Sequence, residues 1–112
     1  MSAEKETRHR TGELRRGIVT LAVLACLRTE NHGYAIRSML ESKGLPLKEG
    51  TLYPLLRRLE GQQLLISRWD VSGDRLRRYY TLTQLGSGAL ELLQSQWELL
   101  SEIVVALQAQ HE

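Results

Sequence analysis

The apolar residues of this chain change period along its length, and that change restricts the available folds more than any other feature. Three stretches repeat at helical spacing, two short runs rich in β-branched and aromatic residues follow, and a final stretch returns to steps of three and four. The order is helix, helix, helix, β-hairpin, long helix.

From Glu13 to Arg28, the residues Leu14, Ile18, Leu21, Ala22 and Ala25 recur at helical spacing, and Val19, Val23, Leu24 and Leu27 widen the stripe almost all round. This predicts a buried first helix. Asn31-His32-Gly33 reads as a turn, with His32 shaping it, and Tyr34 to Ser42 reads as a short second helix that Lys43-Gly44 can end. In the third segment Leu52, Leu55, Leu56 and Leu59 follow the i, i+3, i+4, i+7 pattern and set an inward face. At about 100° per residue, Gly50, Pro54 and Arg57 lie opposite, flanked by Tyr53 and Arg58. Proline is tolerated in a first turn but costs about 3 kcal/mol in an interior, so Thr51 is the expected cap.

Leu64 to Trp69 and Leu76 to Leu82 have strand composition, and Val71-Ser72-Gly73-Asp74 carries turn residues between them. Thr83 then caps a helix from about Gln84 to Gln108. Leu90, Leu93, Trp97, Leu100, Val104 and Leu107 form a heptad seam along it, and Leu85, Ala89, Leu92, Leu99 and Ile103 a second stripe. That is more apolar surface than one small domain needs to cover. Pairing with a second copy of the chain is the expected use.

A chain of 112 residues accommodates one core. The expected division is an N-terminal arm over residues 1–12, a body over 13–82 and a dimerisation helix over 83–112. Met1 to Arg10 are polar and charged with no apolar period, so they are expected to fray or to order on a partner. The single Cys26 lies in an apolar helix, where a buried, inert thiol and a reducing, cytoplasmic setting are expected. The apolar run from Gly17 to Leu27 falls well short of the ~20 residues of a membrane span, and no membrane partner is expected.

The net charge of +2 hides an asymmetry. Residues 1–80 hold all 15 Lys and Arg against nine acids, whereas residues 81–112 hold four acids and no Lys or Arg. This asymmetry is what is expected of a polyanion-binding part joined to a part with another task. No Cys/His/Asp/Glu group has metal-ligand spacing, no glycine-rich phosphate loop or nucleophile elbow is present, and catalysis and cofactors are not expected.

Helix order, hairpin and charge together predict a mostly α fold with a small β-hairpin wing: a winged helix-turn-helix followed by a long C-terminal dimerisation helix. In that geometry Lys48, Arg57 and Arg58 lie on or near the third helix, and Arg75, Arg77 and Arg78 mark the wing. His32-Gly33-Tyr34-Ala35-Ile36, Gly50-Thr51-Leu52-Tyr53-Pro54-Leu55-Leu56-Arg57-Arg58-Leu59-Glu60 and Arg77-Arg78-Tyr79-Tyr80-Thr81-Leu82-Thr83 resemble the PadR winged-helix transcription factors. The resemblance runs from about Leu14 to the end, and the short terminal segment is similar to the subfamily with a single dimerising helix.

The resemblance implies a homodimeric repressor on a palindromic operator in double-stranded DNA, released by a small molecule or another signal. Its DNA-contacting positions fall on Tyr34, Thr51, Tyr53, Arg75 and Arg77. Lys48, Pro54, Arg57 and Arg58 join them by their place on the third helix. Some members bind flat aromatic or cationic compounds between tryptophans of the terminal helix, and Trp97 stands in a similar place. Packing alone is the competing role for Trp97. Tyr80 is expected to be buried and Tyr79 to lean outward, while Glu60 is expected to be an exposed, unpaired charge. A winged-helix adaptor that binds protein instead of DNA is the alternative function.

Overall fold

The computed structural model describes residues 2–111; Met1, the start of the expected arm, and Glu112, the end of the expected dimerisation segment, lie outside the described residues. Helix α1 spans Ala3–Cys26, strand β1 Asn31–His32, α2 Gly33–Ser42, α3 Glu49–Gly61, β2 Leu65–Ser72, β3 Arg75–Leu82 and α4 Gln84–Ala109. The expected winged helix is what the chain adopts.

α1 begins much earlier than the apolar period suggested. Ser2 accepts a hydrogen bond from the Lys5 N–H at 3.2 Å and caps the helix, and Glu4 and Glu6 sit favourably in its first turn. Arg10 then bonds Glu6 at 2.8 Å and Glu13 at 3.3 Å. Such i, i+4 and i, i+3 pairs contribute a few tenths of a kcal/mol each without any apolar face. Residues 3–10 are therefore helical rather than frayed, although they touch no core.

The side of α1 that enters the core also differs from the expected one. Val19, Val23, Leu24 and Leu27 are buried, Leu14 is 65% exposed, and Ile18, Leu21 and Ala22 are half-buried. When nearly every position is apolar, periodicity cannot rank the faces, and contact with α4 and α2 decides. Ile36 and Leu40 of α2 and Leu52, Leu55, Leu56 and Leu59 of α3 complete the centre, closed by Leu65, Tyr80 and Leu90. Tyr80 is buried and Tyr79 half-buried.

α2 ends in a Schellman motif. Gly44 takes φ +93°, its N–H bonds Glu41 O at 3.0 Å, and the Leu45 N–H bonds Leu40 O at 2.8 Å. The chain then reaches α3, where Lys48 rather than Thr51 is the N-cap, with no side-chain bond. The N–H groups of Thr51 and Leu52 both bond Lys48 O at 3.0 Å, so Thr51 already lies inside the helix. Pro54 consequently sits in the second turn. Its missing bond falls on the exposed face, and the buried leucine quartet opposite holds the helix across it.

The sheet has three strands in the order β1-β3-β2, all antiparallel. β1 replaces part of the expected turn: two residues are too few to show alternation, and only pairing of Asn31 with Tyr80 and His32 with Tyr79 defines them as strand. The wing strands run to Ser72 and Arg75, leaving Gly73-Asp74 as a two-residue loop with Gly73 at φ +67°. Thr83 caps α4 by accepting the Gly86 N–H at 3.0 Å. From Glu91 onward α4 is largely exposed, tied back to the body where Arg28 Nη2 donates to Gln94 Oε1 at 3.2 Å, and the molecule measures 57 × 33 × 25 Å.

Candidate nucleic-acid interface

α3 forms a ridge between two clefts. On the wing side, a cleft of roughly 260 Å³ is lined by Tyr34, Tyr53, Arg57 and Arg77, with Trp69 and Arg78 in its wall. On the α1 side, a cleft of roughly 820 Å³ is lined by Lys48, Thr51, Pro54 and Arg58, together with Arg15 and Arg16. Arg75 lines neither and stands exposed at the wing tip beside Gly73-Asp74. The residues singled out from the sequence thus gather on three adjoining places around one helix. Arg15, Arg16 and Trp69 were missed, since the first two lie on a helix read as core and the third reads as an ordinary strand residue.

β1 brings the first cleft together. By pairing with β3 it sets the start of α2 beside the wing, so the Arg77 guanidinium lies 5.8 Å from the centre of the exposed Tyr34 ring. Cation–π contact at this distance contributes about 0.5–1 kcal/mol at an exposed site. His32 caps α2 by accepting the Ala35 N–H on Nδ1 at 3.3 Å, and Arg77 Nη1 stands 3.5 Å from the same nitrogen. Burial first, and then the Arg77 charge, hold the His32 pKa below its ordinary value. His32 does more than shape a turn.

Tyr53 owes its position to a glycine. A Cβ on Gly33 would come within 2.2 Å of Tyr53 Cε1, so the absent side chain lets the ring lie on the first turn of α2. Tyr53 is half-buried, a staple and a presented surface together.

Glu60 is not the unpaired charge expected. Arg78 donates to Glu60 Oε1 and to Ser67 Oγ, each at 2.9 Å, and the Ser67 hydroxyl donates to Glu60 Oε2. The register explains it. Ser67 opposes Tyr80 and Trp69 opposes Arg78, so all four share the sheet face that meets α3, and Arg78 also lies 5.6 Å from the Trp69 ring centre. Arg78 therefore clamps wing to helix.

The cations divide by partner. Arg37 pairs with Glu49, Arg68 with Glu30 and Asp70, and Arg78 with Glu60. The Arg68 guanidinium holds the Glu30 and Asp70 carboxyls below the usual carboxylate range. Among the described residues, Lys48, Arg57, Arg58, Arg75 and Arg77 form no ion pair. Charges left without carboxylates on one side of a protein are available to an external polyanion.

On α4, Leu90 departs from the expected seam. It is 2% exposed and packs in its own core, because the first turns of α4 lie on α1 and β3. The rest of the seam, Leu93, Trp97, Leu100, Val104 and Leu107, stays exposed, as do Leu92, Leu99 and Ile103 of the second stripe. Trp97 borders a groove of roughly 620 Å³ between α1 and α4, walled by Ile18, Leu21, Ala22 and Ala25. Cys26 is half-buried, and burial pushes its thiol pKa up. Among the described residues no group of His, Cys, Asp and Glu is placed to hold a metal, and no helix is long and apolar enough to cross a membrane.

A three-helix body, a short sheet with a cationic wing and a projecting terminal helix define a winged helix-turn-helix protein. Comparison with known proteins narrows the class. Residues 21–92 match the model of the transcriptional regulator PadR-like family. Transcriptional regulator Rv3488 of Mycobacterium tuberculosis is 39% identical over 79 residues, covering 70% of this chain and 74% of that protein. A PadR family transcriptional regulator from Eggerthella lenta superposes with a TM-score of 0.83 at 40% identity, covering 94% of each chain. A PadR-like regulator from Bacillus cereus gives 0.78 at 27% identity over 86% of this chain and 96% of its own. The chain belongs to the PadR-like family of transcriptional regulators.

Proposed function

We propose that the protein is a homodimeric repressor that binds a palindromic operator in double-stranded DNA and releases it when a hydrophobic or aromatic small molecule, or another signal, is sensed. The observation that carries this reading is the partition of cations: Lys48, Arg57, Arg58 and Arg77 around α3, and Arg75 at the wing tip, have no carboxylate partner among the described residues, while Arg37, Arg68 and Arg78 are held in ion pairs. α3 enters the major groove, ~12 Å wide, with Thr51, Tyr53, Pro54 and Arg57 toward the bases or backbone. Tyr34, Arg77 and Arg75 meet the strand on the wing side.

Residues 13–82 act as the DNA-reading body and residues 83–112 as the dimerisation helix, pairing through Leu93, Trp97, Leu100, Val104 and Leu107. Two body domains held by paired α4 helices present their α3 helices about one DNA turn, ~34 Å, apart. A ligand seated beside Trp97 alters that spacing and so the fit to the operator. The chemistry needs no cofactor and belongs in the cytoplasm.

The test is to select bound fragments from the host genome and measure affinity for the enriched duplex against salt. Arg57→Ala is expected to weaken binding with the dimer intact, and Leu93→Glu to give single chains by sedimentation. A log-log salt slope near zero, where about −0.9 per neutralised phosphate is expected, would sink the DNA reading in favour of a protein-binding adaptor.

A further inference from the structure

A helix seated in the major groove is flanked by two sugar-phosphate ridges, one on each side. The wing-side ridge has its partners in Tyr34, Arg57 and Arg77. Opposite them, across the ridge of α3, lies the larger cleft between α1 and α3. Its lining includes Arg15, Arg16, Lys48 and Arg58 and contains no Asp or Glu. Arg15 Nη2 donates to Pro46 O at 3.1 Å, which fixes its guanidinium against the entry to α3. Arg16, Lys48 and Arg58 are exposed and form no ion pair among the described residues. A methyl group added at Gly12, Gly17 or Gly50 would meet nothing within 4 Å, so the cleft is open along its length.

The part of α1 that leaves the core continues the same chemistry. At about 100° per residue, Lys5, Arg8, Arg15 and Arg16 fall within one side of the helix, the side of the buried Val19, with Glu4 at its edge. Glu6 and Glu13 lie on another side, where Arg10 and His9 hold them. A helical extension with no packing task therefore carries a cationic stripe that runs into the cleft.

Resting on the DNA reading above, we infer that the α1–α3 cleft is a second phosphate-binding surface: Arg15, Arg16, Lys48 and Arg58 hold the backbone of the strand opposite the wing, and the stripe on α1 extends this contact beyond the half-site. α3 is then gripped from both flanks, which fixes its depth and tilt in the groove before any base is read.

Salt dependence on a mixed-sequence duplex longer than two helical turns tests the inference with the full chain. The double variant Arg16→Ala/Arg58→Ala is expected to lower the log-log slope by about 1.8, two phosphates at about 0.9 each, and to keep the circular dichroism of the parent. Arg16→Lys/Arg58→Lys, which keeps the charges, should retain the parental slope. An unchanged slope in the alanine variant, with a reduced slope in Arg57→Ala/Arg77→Ala, overturns the cleft while leaving the DNA reading in place. Absence of salt-dependent duplex binding by the parent chain overturns both.

Discussion

Gly86→Ala and Gly88→Ala add the same methyl group two residues apart on α4 and should act in opposite directions. A Cβ at Gly86 would come within 2.0 Å of Leu64 O and 3.0 Å of Leu64 C, whereas at Gly88 it would meet nothing within 4 Å. The atom struck at Gly86 is backbone, and it is held in place: Leu64 O accepts the Thr83 N–H at 3.1 Å where the chain passes from the wing into α4. Overpacking of a fixed site costs about 1–3 kcal/mol and loss of the Thr83 bond about 1 more, against at most about 1 kcal/mol gained from replacing glycine in a helix. Gly86→Ala should therefore lose about 1–3 kcal/mol, and Gly88→Ala should gain about 0.5–1 kcal/mol. For a chain of this size that is a Tm lower by about 4–15 °C in one case and higher by a few degrees in the other. Thermal unfolding at a single protomer concentration measures both, because self-association would make Tm depend on concentration. If Gly86→Ala melts at or above the parent, the close passage of α4 over Leu64 does not constrain the junction between the wing and α4.

His32 is neutral in the fold and its pKa is lowered, so its protonation is disfavoured in the native state relative to the unfolded chain. The stability it contributes is full above its ordinary value of 6.5 and is lost as pH falls below that value toward the lowered one. Parent and His32→Asn, which keeps an N-cap acceptor, should diverge in Tm as pH drops from about 7.5 to 5, and parallel curves would remove His32 from the acid response. Glu60→Ala leaves Arg78 and Ser67 without their shared carboxylate and should cost about 1–2 kcal/mol, with faster amide exchange in β2 and β3 than in α1. Equal exchange protection in parent and variant would show that the clamp does not hold the wing.

Much of the site was legible because α3 carries its own instructions. Four leucines at i, i+3, i+4, i+7 bury one face, and the same arithmetic exposes Gly50, Pro54, Arg57 and Arg58 on the other. The wing was equally plain, since two strand-like runs around Gly73-Asp74 have few other uses. α1 was harder for the opposite reason: apolar residues on nearly every side left the buried line, Val19-Val23-Leu24-Leu27, to be chosen by packing. Its N-terminal turns were unreadable from apolar period because caps and ion pairs hold them.

The order of periods along the chain determined a winged helix with a projecting apolar rod, and the charge asymmetry determined that every Lys and Arg lies in the body rather than on the rod. Tertiary structure alone decided which cations remain free. Whether Glu60 meets Arg78, whether Glu30 meets Arg68, and whether Arg77 lies over Tyr34 depend on strand register and on the pairing of a two-residue strand with β3. Likewise Leu90 fits the heptad as well as Leu93 does, yet only one of them is covered by α1. Local spacing records which face a side chain occupies; a partner distant in sequence is a property of how those faces are brought together.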